Sequence, residues 1–507
     1  MILTQALSKS ASKNNGAIAI LDLDKKISYS EMTKRVAQLS YLYQTELAAG
    51  DIVAIFATNT ASVAITFFAL SNIGNPILFL DPADPEEKIL RDFQALNVRH
   101  LLVTGDHLLR ARELVRKNRT GVNVIELEKK RGGEYDKSFT ASPERPLSDN
   151  NPVLILRSEI DGEENKYLFF NHKKIYTSVI GLKKFYRMRP NDKMLGQVNW
   201  SHPFGLTHGM LLPLFTSATC VVDPQSPTVE EFVEFIAKNH ITRFSGPPTS
   251  YLKLLSHCAA QKYTLPGVQS ITVGMGSLSL MLRKTYHLLK IPILRCYGRA
   301  ETMWSIAMDP LEEASDIQAT MSRPLPGLRC KVLDENGDEI PGPDAREGVL
   351  AVMGESVMER YFLPDEKAAA AATRQALRGT WFYTQDIARL TGEGENLTVT
   401  VLGRACNLIA SANTYLLPQK IDLAAKGISG VADAAAFVHT DRHGNRSFAC
   451  AIVPERKGLK EQAIAKALST SLPAGYRPSA IFLIDAIPKD TFGSVNRQAL
   501  QRMFFVL

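Results

Sequence analysis

The sequence predicts an α/β protein: a large N-terminal domain of parallel and mixed sheets with helices, a small antiparallel β unit, and a small α+β C-terminal lobe. Three observations lead there. Short apolar runs alternate with helix-period segments on brief links in the first part of the chain, the βαβ rhythm of a parallel sheet. From about residue 320 the texture changes, and Asn336-Gly337 marks a tight turn between two strand-like runs. Beyond Gly403 the elements shorten, and residues 403–507 read as a separate lobe.

Taken in order, Ser28-x-x-Glu31 is a capping box. Met32, Val36, Leu39 and Tyr43 follow at helical spacing, and the helix ends before Ala49-Gly50-Asp51. Val53–Phe56 is a strand, Ser62–Ser71 a helix and Ile77–Leu80 a second strand. Leu101–Val103, Val122–Ile125 and Val153–Leu156 continue the strand series. The basic stretch Lys173, Lys174, Lys183, Lys184, Arg187 and Arg189 reads as a solvated helix face. Arg329–Asp334 and Gly348–Met353 are the strands on either side of the Asn336-Gly337 turn, and the β unit extends over about 320–402. In the lobe, Ala435–His439 pairs with Phe448–Val453 across His443-Gly444-Asn445, and Ala463–Leu472 is a helix.

Composition limits the class. At roughly 150 residues per domain, 507 residues make about three units. The formal charge is 59 − 52 = +7, and the hydrophobic and charged fractions are 45% and 22%. These values exclude a disordered chain, a collagen and a disulfide scaffold. Cys220, Cys258, Cys296, Cys330, Cys406 and Cys450 are widely spaced, with no CxxC and no zinc spacing, which suits free thiols in a reducing cytosol. The N-terminus lacks a signal-peptide pattern. The most apolar span, Ala61–Leu80, is interrupted by Asn72, Gly74, Asn75 and Pro76, so no membrane span is expected. The expected location is cytoplasmic. The positive charge suits an acidic ligand such as a nucleotide, or an acidic carrier protein. The basic residues are not interleaved with aromatics, so no nucleic-acid role is expected.

Separated segments resemble one family, the adenylate-forming (AMP-forming) acyl and aryl acid ligases. Residues 50–82, GDIVAIFATNTASVAITFFALSNIGNPILFLDP, are similar to its first core motifs. Residues 201–219, SHPFGLTHGMLLPLFTSAT, resemble its His-x-Phe-Gly-Leu-Thr segment in the form common among fatty acyl-CoA and acyl-carrier-protein synthetases. CYGRAET at 296–302 looks like Tyr-Gly-x-Thr-Glu. WFYTQD at 381–386, GRACNLIASANTYLLPQKID at 403–422 and IPKDTFGSVNRQAL at 487–500 complete the series in family order.

The resemblance implies an N-terminal domain over 1–402 and a mobile lobe over 403–507. It implies a two-step reaction: a carboxylate attacks the α-phosphate of ATP, with Mg²⁺, to give an acyl-adenylate. A thiol of CoA or of a carrier-protein phosphopantetheine then takes the acyl group. Carried over residue by residue, it gives Tyr297, Gly298 and Ala300 a place beside the nucleotide, and Glu301 the catalytic and metal-binding carboxylate. Gly274 and Gly276 become the glycine turn near adenine. Asp386 takes the ribose hydroxyls, Arg404 contacts ribose or phosphate, and Asn407 is the hinge. His202, Phe204 and Gly205 line the acyl pocket, which favours a fatty or aryl acid. Ser158, Gly162 and Lys166 align with the phosphate loop. No HExxH zinc motif occurs.

Three departures bear on chemistry. The phosphate-loop segment carries Glu159, Asp161, Glu163 and Glu164, and each like-charge pair at ~4 Å costs roughly 1 kcal/mol even in water. Lys166 and Arg157 offset part of this. Ser494 stands at the family's final lysine, so a transition-state cation is missing. Asn407 replaces the usual Asp or Lys of the hinge, and Ala412-Asn413 replaces a Gly-Gly. Two smaller changes are Ala300 for Thr and Gln385 for Gly. Three readings stay open: an acid–thiol ligase; an enzyme that only transfers from a pre-made acyl-adenylate; and a non-catalytic protein that binds acyl groups, a carrier protein or an active paralogue.

Overall fold

The computed structural model describes residues 1–127, 147–158, 166–226, 228–274, 291–309, 322–411, 414–440, 446–455, 458–489 and 495–504. By density of contacts the chain divides into two units, 1–329 with 353–382 and 330–352 with 383–507. The antiparallel strands after residue 329 therefore cluster mainly with the C-terminal segment.

The first unit is built on two sheets. Among the described residues one has seven strands, with Val53–Phe56 and Ile77–Leu80 at its middle, parallel to each other and to Pro152–Ser158 and His100–Val103. Val53–Phe56 and Ile77–Leu80 are buried at every position, as expected for parallel strands covered on both faces. The helix between them, Ala61–Ser71, is buried on every side, so apolar residues all round it are required rather than an amphipathic stripe. It starts one residue earlier than the sequence suggests because Thr60 caps it, Oγ1 accepting from Val63 N at 3.3 Å. Ser28 caps its helix, Oγ accepting from Glu31 N at 3.1 Å, while the Glu31 carboxylate pairs with Arg35 instead of closing the expected capping box; the helix runs Tyr29–Glu46.

The second sheet has nine described strands. Lys193–Gly196, Arg243–Gly246, Ser270–Val273 and Ile293–Tyr297 run parallel and side by side. Their C-terminal ends, where ligands of open α/β sheets collect, carry Gly196, Gly246, Gly274 and Tyr297. Glycine is required where the π-helical segment Gly205–Leu211 crosses this sheet: a Cβ on Gly196 would sit 2.7 Å from Gly209 Cα.

One expectation on helix His172–Tyr186 is corrected. Lys173, Lys183, Lys184, Arg187 and Arg189 are exposed, but Lys174 is only 8% exposed. It shares the inner face with Ser178 and Leu182, and its ammonium donates to Val357 O at 2.8 Å and Glu355 O at 3.2 Å. It acts as a cap for a bend in the chain, not as a solvated charge.

Arg329–Leu333, Arg346–Met353, Trp381–Thr391 and Thr398–Arg404 are neighbours in that order in a further sheet, most of it in the second unit although Trp381 and Phe382 cluster with the first, and the last two strands pair antiparallel. Gly337 has φ +88° in the Asn336-Gly337 turn, and its N donates to Asp334 O at 3.1 Å. Further on, Val431–Thr440 pairs antiparallel with Arg446–Pro454 as expected, with Ala435 opposite Ala451 and Val438 opposite Phe448; the turn expected at 443–445 lies outside the described residues. Ala480–Leu483 adds a parallel third strand. Helices Pro418–Lys426 and Glu461–Ser471 cover one face, with Ile421, Ala425, Ile464 and Leu468 in the core. All six cysteines are free. Among the described residues no helix is long and apolar enough to cross a membrane.

Candidate functional site

In the first unit the site forms around a reversal of the chain after Ile293–Tyr297. Met303 and Trp304 both take left-handed φ, +53° and +56°. Trp304 N donates back to Arg299 O at 2.8 Å, and Ile306 N to Tyr297 O at 3.0 Å. The loop closes so tightly that a Cβ on Gly298 would lie 2.1 Å from the Trp304 carbonyl carbon. The Tyr-Gly pair thus has a steric cause: only glycine lets the strand turn back on itself here. Tyr297 and Ala300 are half-buried on this turn.

Glu301, next on the turn, is fully buried. Oε1 accepts from the hydroxyl of Ser158, the last residue of Pro152–Ser158, and from Tyr361 OH at 2.8 Å. Oε2 faces Arg299 Nε at 3.5 Å. Burial pushes the carboxyl upward, but the Arg299 charge and the two hydroxyl donors outweigh it and hold Glu301 below the usual carboxylate range. Glu301 is therefore an ionised group in a dry site. The Tyr361 phenol is pushed up, by burial first and then by the Glu301 charge, so it stays a donor. Lys166 lies directly across the strand pair from Ser158, its ammonium 5.6 Å above the Tyr361 ring. Gly162 and the four carboxylates at 159, 161, 163 and 164 lie outside the described residues, as do Gly276 and Ser494.

The expectation that Arg157 offsets the acidic loop is corrected. Its guanidinium is engaged by Asp84 and the buried Asp92, and Asp92 also accepts from Tyr167 OH at 2.8 Å. His172, beyond the loop, is a fully buried structural residue whose Nδ1 accepts from Leu3 N at 3.3 Å; burial lowers it to about 4.

His202, Phe204 and Gly205, expected to line an acyl pocket, lie together at the start of the π-helical segment. Phe204 is fully buried, and its ring covers Gly274, where a Cβ would fall 2.7 Å from Cε2. Gly205 is required because a Cβ there would meet Asn199 O at 2.5 Å. His202 Nδ1 accepts from Phe204 N at 3.1 Å, so a neutral ring carries its proton on Nε2, and the ring meets Trp304 edge-on at 4.7 Å. Burial lowers His202 to about 3.

Sequence reasoning missed Arg299, Tyr361 and His208. His208 stacks on Phe204 at 4.4 Å, with Nδ1 2.7 Å from Tyr186 OH and Nε2 3.5 Å from Cys296 Sγ. A lone His in an apolar run gives no signal of this. Tyr361 belongs to no pattern that local spacing reveals. Arg299 sits inside the CYGRAET segment, two residues from a carboxylate expected to be ionised, and that was the available clue.

In the second unit, Asp386 on Trp381–Thr391 lies directly opposite Arg404, with Nε 3.4 Å from Oδ1. Asp386 is buried at 5% exposure. Its N donates to Thr384 Oγ1 at 3.1 Å, and Arg404 Nη1 donates to Thr384 O at 3.2 Å. Gln385 between them has φ +61°, the left-handed conformation that a glycine adopts without strain. Asn407 ends a short turn, Ala405–Asn407. Arg446 Nη2 donates to Leu408 O at 3.3 Å and Gln501 Nε2 to Cys406 O at 3.3 Å, which fastens this turn to the C-terminal strands and helix. Lys489 forms an ion pair with Asp433 at 2.9 Å.

A divalent metal was tested against these residues. Among the described residues no three His, Cys, Asp or Glu side chains converge on one point. Glu301 has one oxygen taken by two hydroxyls and the other faced by a guanidinium, so it fits a metal only after Arg299 withdraws.

The first unit is thus a two-sheet α/β unit with a buried carboxylate, held ionised, just beyond the end of a parallel strand. Residues 7–362 match the AMP-binding enzyme family, and the chain belongs to it. The vibriobactin-specific 2,3-dihydroxybenzoate-AMP ligase of Vibrio cholerae is 25% identical to this chain, covering all of it and 94% of that protein. The human mitochondrial malonate–CoA ligase is 24% identical, covering 96% and 90%. ATP-bound MatB from Rhodopseudomonas palustris superposes with a TM-score of 0.82 at 19% identity over 99% of both chains. The Bacillus subtilis o-succinylbenzoate CoA synthetase in complex with AMP gives 0.80 at 18% over 98% of both. At these identities the structural likeness speaks for the fold alone.

Proposed function

We propose that the chain is an adenylate-forming acid–thiol ligase: it binds ATP or AMP, joins a carboxylic acid to AMP, and passes the acyl group to CoA or a carrier-protein phosphopantetheine. The observation that carries this reading is Glu301, ionised although fully buried, on a turn that only glycine at 298 permits. A fully buried carboxylate held ionised by a neighbouring charge and hydroxyl donors marks a candidate functional site. Asp386 supports the reading from the second unit, since an ionised carboxylate accepts two hydrogen bonds and suits a ribose diol. Arg404 holds it in place.

The acid is proposed to be an aryl or short-chain one. Phe204, stacked on His208, covers Gly274 among the residues expected to line the acyl pocket. The named relatives act on 2,3-dihydroxybenzoate and on malonate, which supports the same class. The segment from 403 is proposed to move about Asn407 between the two half-reactions.

A second reading, transfer from a pre-made adenylate or binding alone, is favoured by one specific feature: Ser494 supplies no cation at the position of the final lysine. The deciding experiment is pyrophosphate release with Mg·ATP across a panel of aryl, dicarboxylic and fatty acids, run with wild type and Ser494→Lys. Release by either protein with any acid supports the ligase. Release by neither, together with thioester formation from a supplied acyl-adenylate, replaces it with the second reading.

A further inference from the structure

The carboxylate of Glu301 already faces a cation, and that cation belongs to the chain. Oε1 takes the hydroxyls of Ser158 and Tyr361. Oε2 accepts no hydrogen bond among the described residues and points at the guanidinium of Arg299, 3.5 Å away. Arginine does not lose its proton at any working pH. Its backbone is pinned on both sides: Thr302 Oγ1 accepts from Arg299 N at 3.3 Å and donates to its carbonyl at 3.1 Å, and Trp304 N donates to the same carbonyl. Only the side chain is left to withdraw, and it is 12% exposed. A hard divalent ion needs a carboxylate oxygen at about 2.1 Å in a near-octahedral shell. A guanidinium on that oxygen blocks the approach and repels the ion across a site with little water to screen it.

We infer that Arg299 is the resident counter-cation of Glu301 and competes with a divalent metal for it, so that the protein takes AMP or an acyl-adenylate, which need no metal, ahead of Mg·ATP. The inference rests on the reading of Glu301 as the carboxylate of a nucleotide site. It adds that this site carries its own cation, and that metal binding is coupled to the swing of one side chain.

The test is calorimetric binding of AMP and of ATP, each in EDTA and in excess Mg²⁺, to the full chain. Wild type is expected to bind AMP equally in both conditions and to gain less than about threefold in ATP affinity from Mg²⁺. Arg299→Gln is expected to gain about tenfold or more in ATP affinity from Mg²⁺, read as the ratio of its own affinities in excess Mg²⁺ and in EDTA. Arg299→Lys, which keeps a cation, is expected to follow wild type. A tenfold Mg²⁺ gain in wild type overturns the inference, and so does an Arg299→Gln variant with the metal response of wild type. If Arg299→Gln fails to fold, the Arg299→Gln/Glu301→Gln double variant removes both charges and is expected to bind ATP with no metal response; the wild-type comparison still decides by itself. Absence of AMP binding to wild type overturns both this inference and the ligase reading. AMP binding with a strong metal gain for ATP overturns the inference alone.

Discussion

Tyr361→Phe isolates one interaction at the centre of the site. The ring stays, and with it the packing, the Lys166 ammonium 5.6 Å above it and the backbone bond from Tyr361 N to Thr373 Oγ1 at 3.0 Å. What is lost is the hydroxyl donating at 2.8 Å to a fully buried, ionised carboxylate. A hydrogen bond to a charged group contributes about 1.5–3 kcal/mol, and that is the expected loss of stability at pH 7. Ser158→Ala removes the second donor to the same oxygen, with a similar loss. Each donor partly makes up for the absence of the other, so the double variant loses more than the sum of the singles, by about 0.5–3 kcal/mol. Urea unfolding followed by tryptophan fluorescence is the assay. The chain has three tryptophans, Trp200, Trp304 and Trp381, and all belong to the first unit, so the signal reports on it. A Tyr361→Phe loss below about 0.5 kcal/mol, the size of an ordinary surface change, would refute the reasoning. So would strict additivity with Ser158→Ala, because both donors address one oxygen.

The remaining expectations are simpler. Gly298→Ala forces a Cβ to within 2.1 Å of the Trp304 backbone and should cost more than about 3 kcal/mol or abolish soluble expression, while Gly16→Ala, with nothing within 4 Å, should be neutral; thermal melting compares them. Gln385→Gly relieves a left-handed side-chain residue and should stabilise the second unit by about 1 kcal/mol, read as slower hydrogen exchange along Trp381–Thr391. His172, buried and lowered to about 4, stays neutral in the fold while the unfolded chain protonates near 6.5. Its contribution is complete above about pH 6.5 and is lost as pH falls toward 4, roughly 3 kcal/mol across that window. His172→Asn should flatten that part of the stability–pH curve, and an unchanged slope would count against a buried neutral His172.

The legible parts of the sequence were those in which local physics and tertiary structure ask for the same residues. Val53–Phe56 and Ile77–Leu80 are buried on both faces, so an unbroken apolar run was sufficient evidence. The pairing of the strand through Ala435–His439 with the one through Phe448–Val453 was expected from two apolar runs with a turn signal between them; which residues face each other was not. Lys174 was misread because charge alone suggests solvent, whereas its helical phase beside Ser178 and Leu182 turns it inward to two carbonyls. Arg157 was misread for the converse reason: nothing near it in sequence reveals Asp84 and Asp92, which reach it from segments more than sixty residues away. Tyr361 and His208 were invisible because their partners, Glu301 and Tyr186, are fixed only by the assembled sheets.

The fold and the chemistry of this chain are under separate physical control. Gly298, Gly205 and Gly196 are dictated by backbone approaching backbone at distances no side chain tolerates, so any sequence that makes these turns must place glycine there. None of them sets the charge of the site. The charge at the site depends on Arg299 and Glu301, and exchanging the cation at 299 leaves every glycine contact untouched. Membership of the AMP-binding family therefore follows from constraints that the catalytic electrostatics neither impose nor require. Family membership is carried by these backbone contacts, and the charge at Glu301 by Arg299, Ser158 and Tyr361 around it.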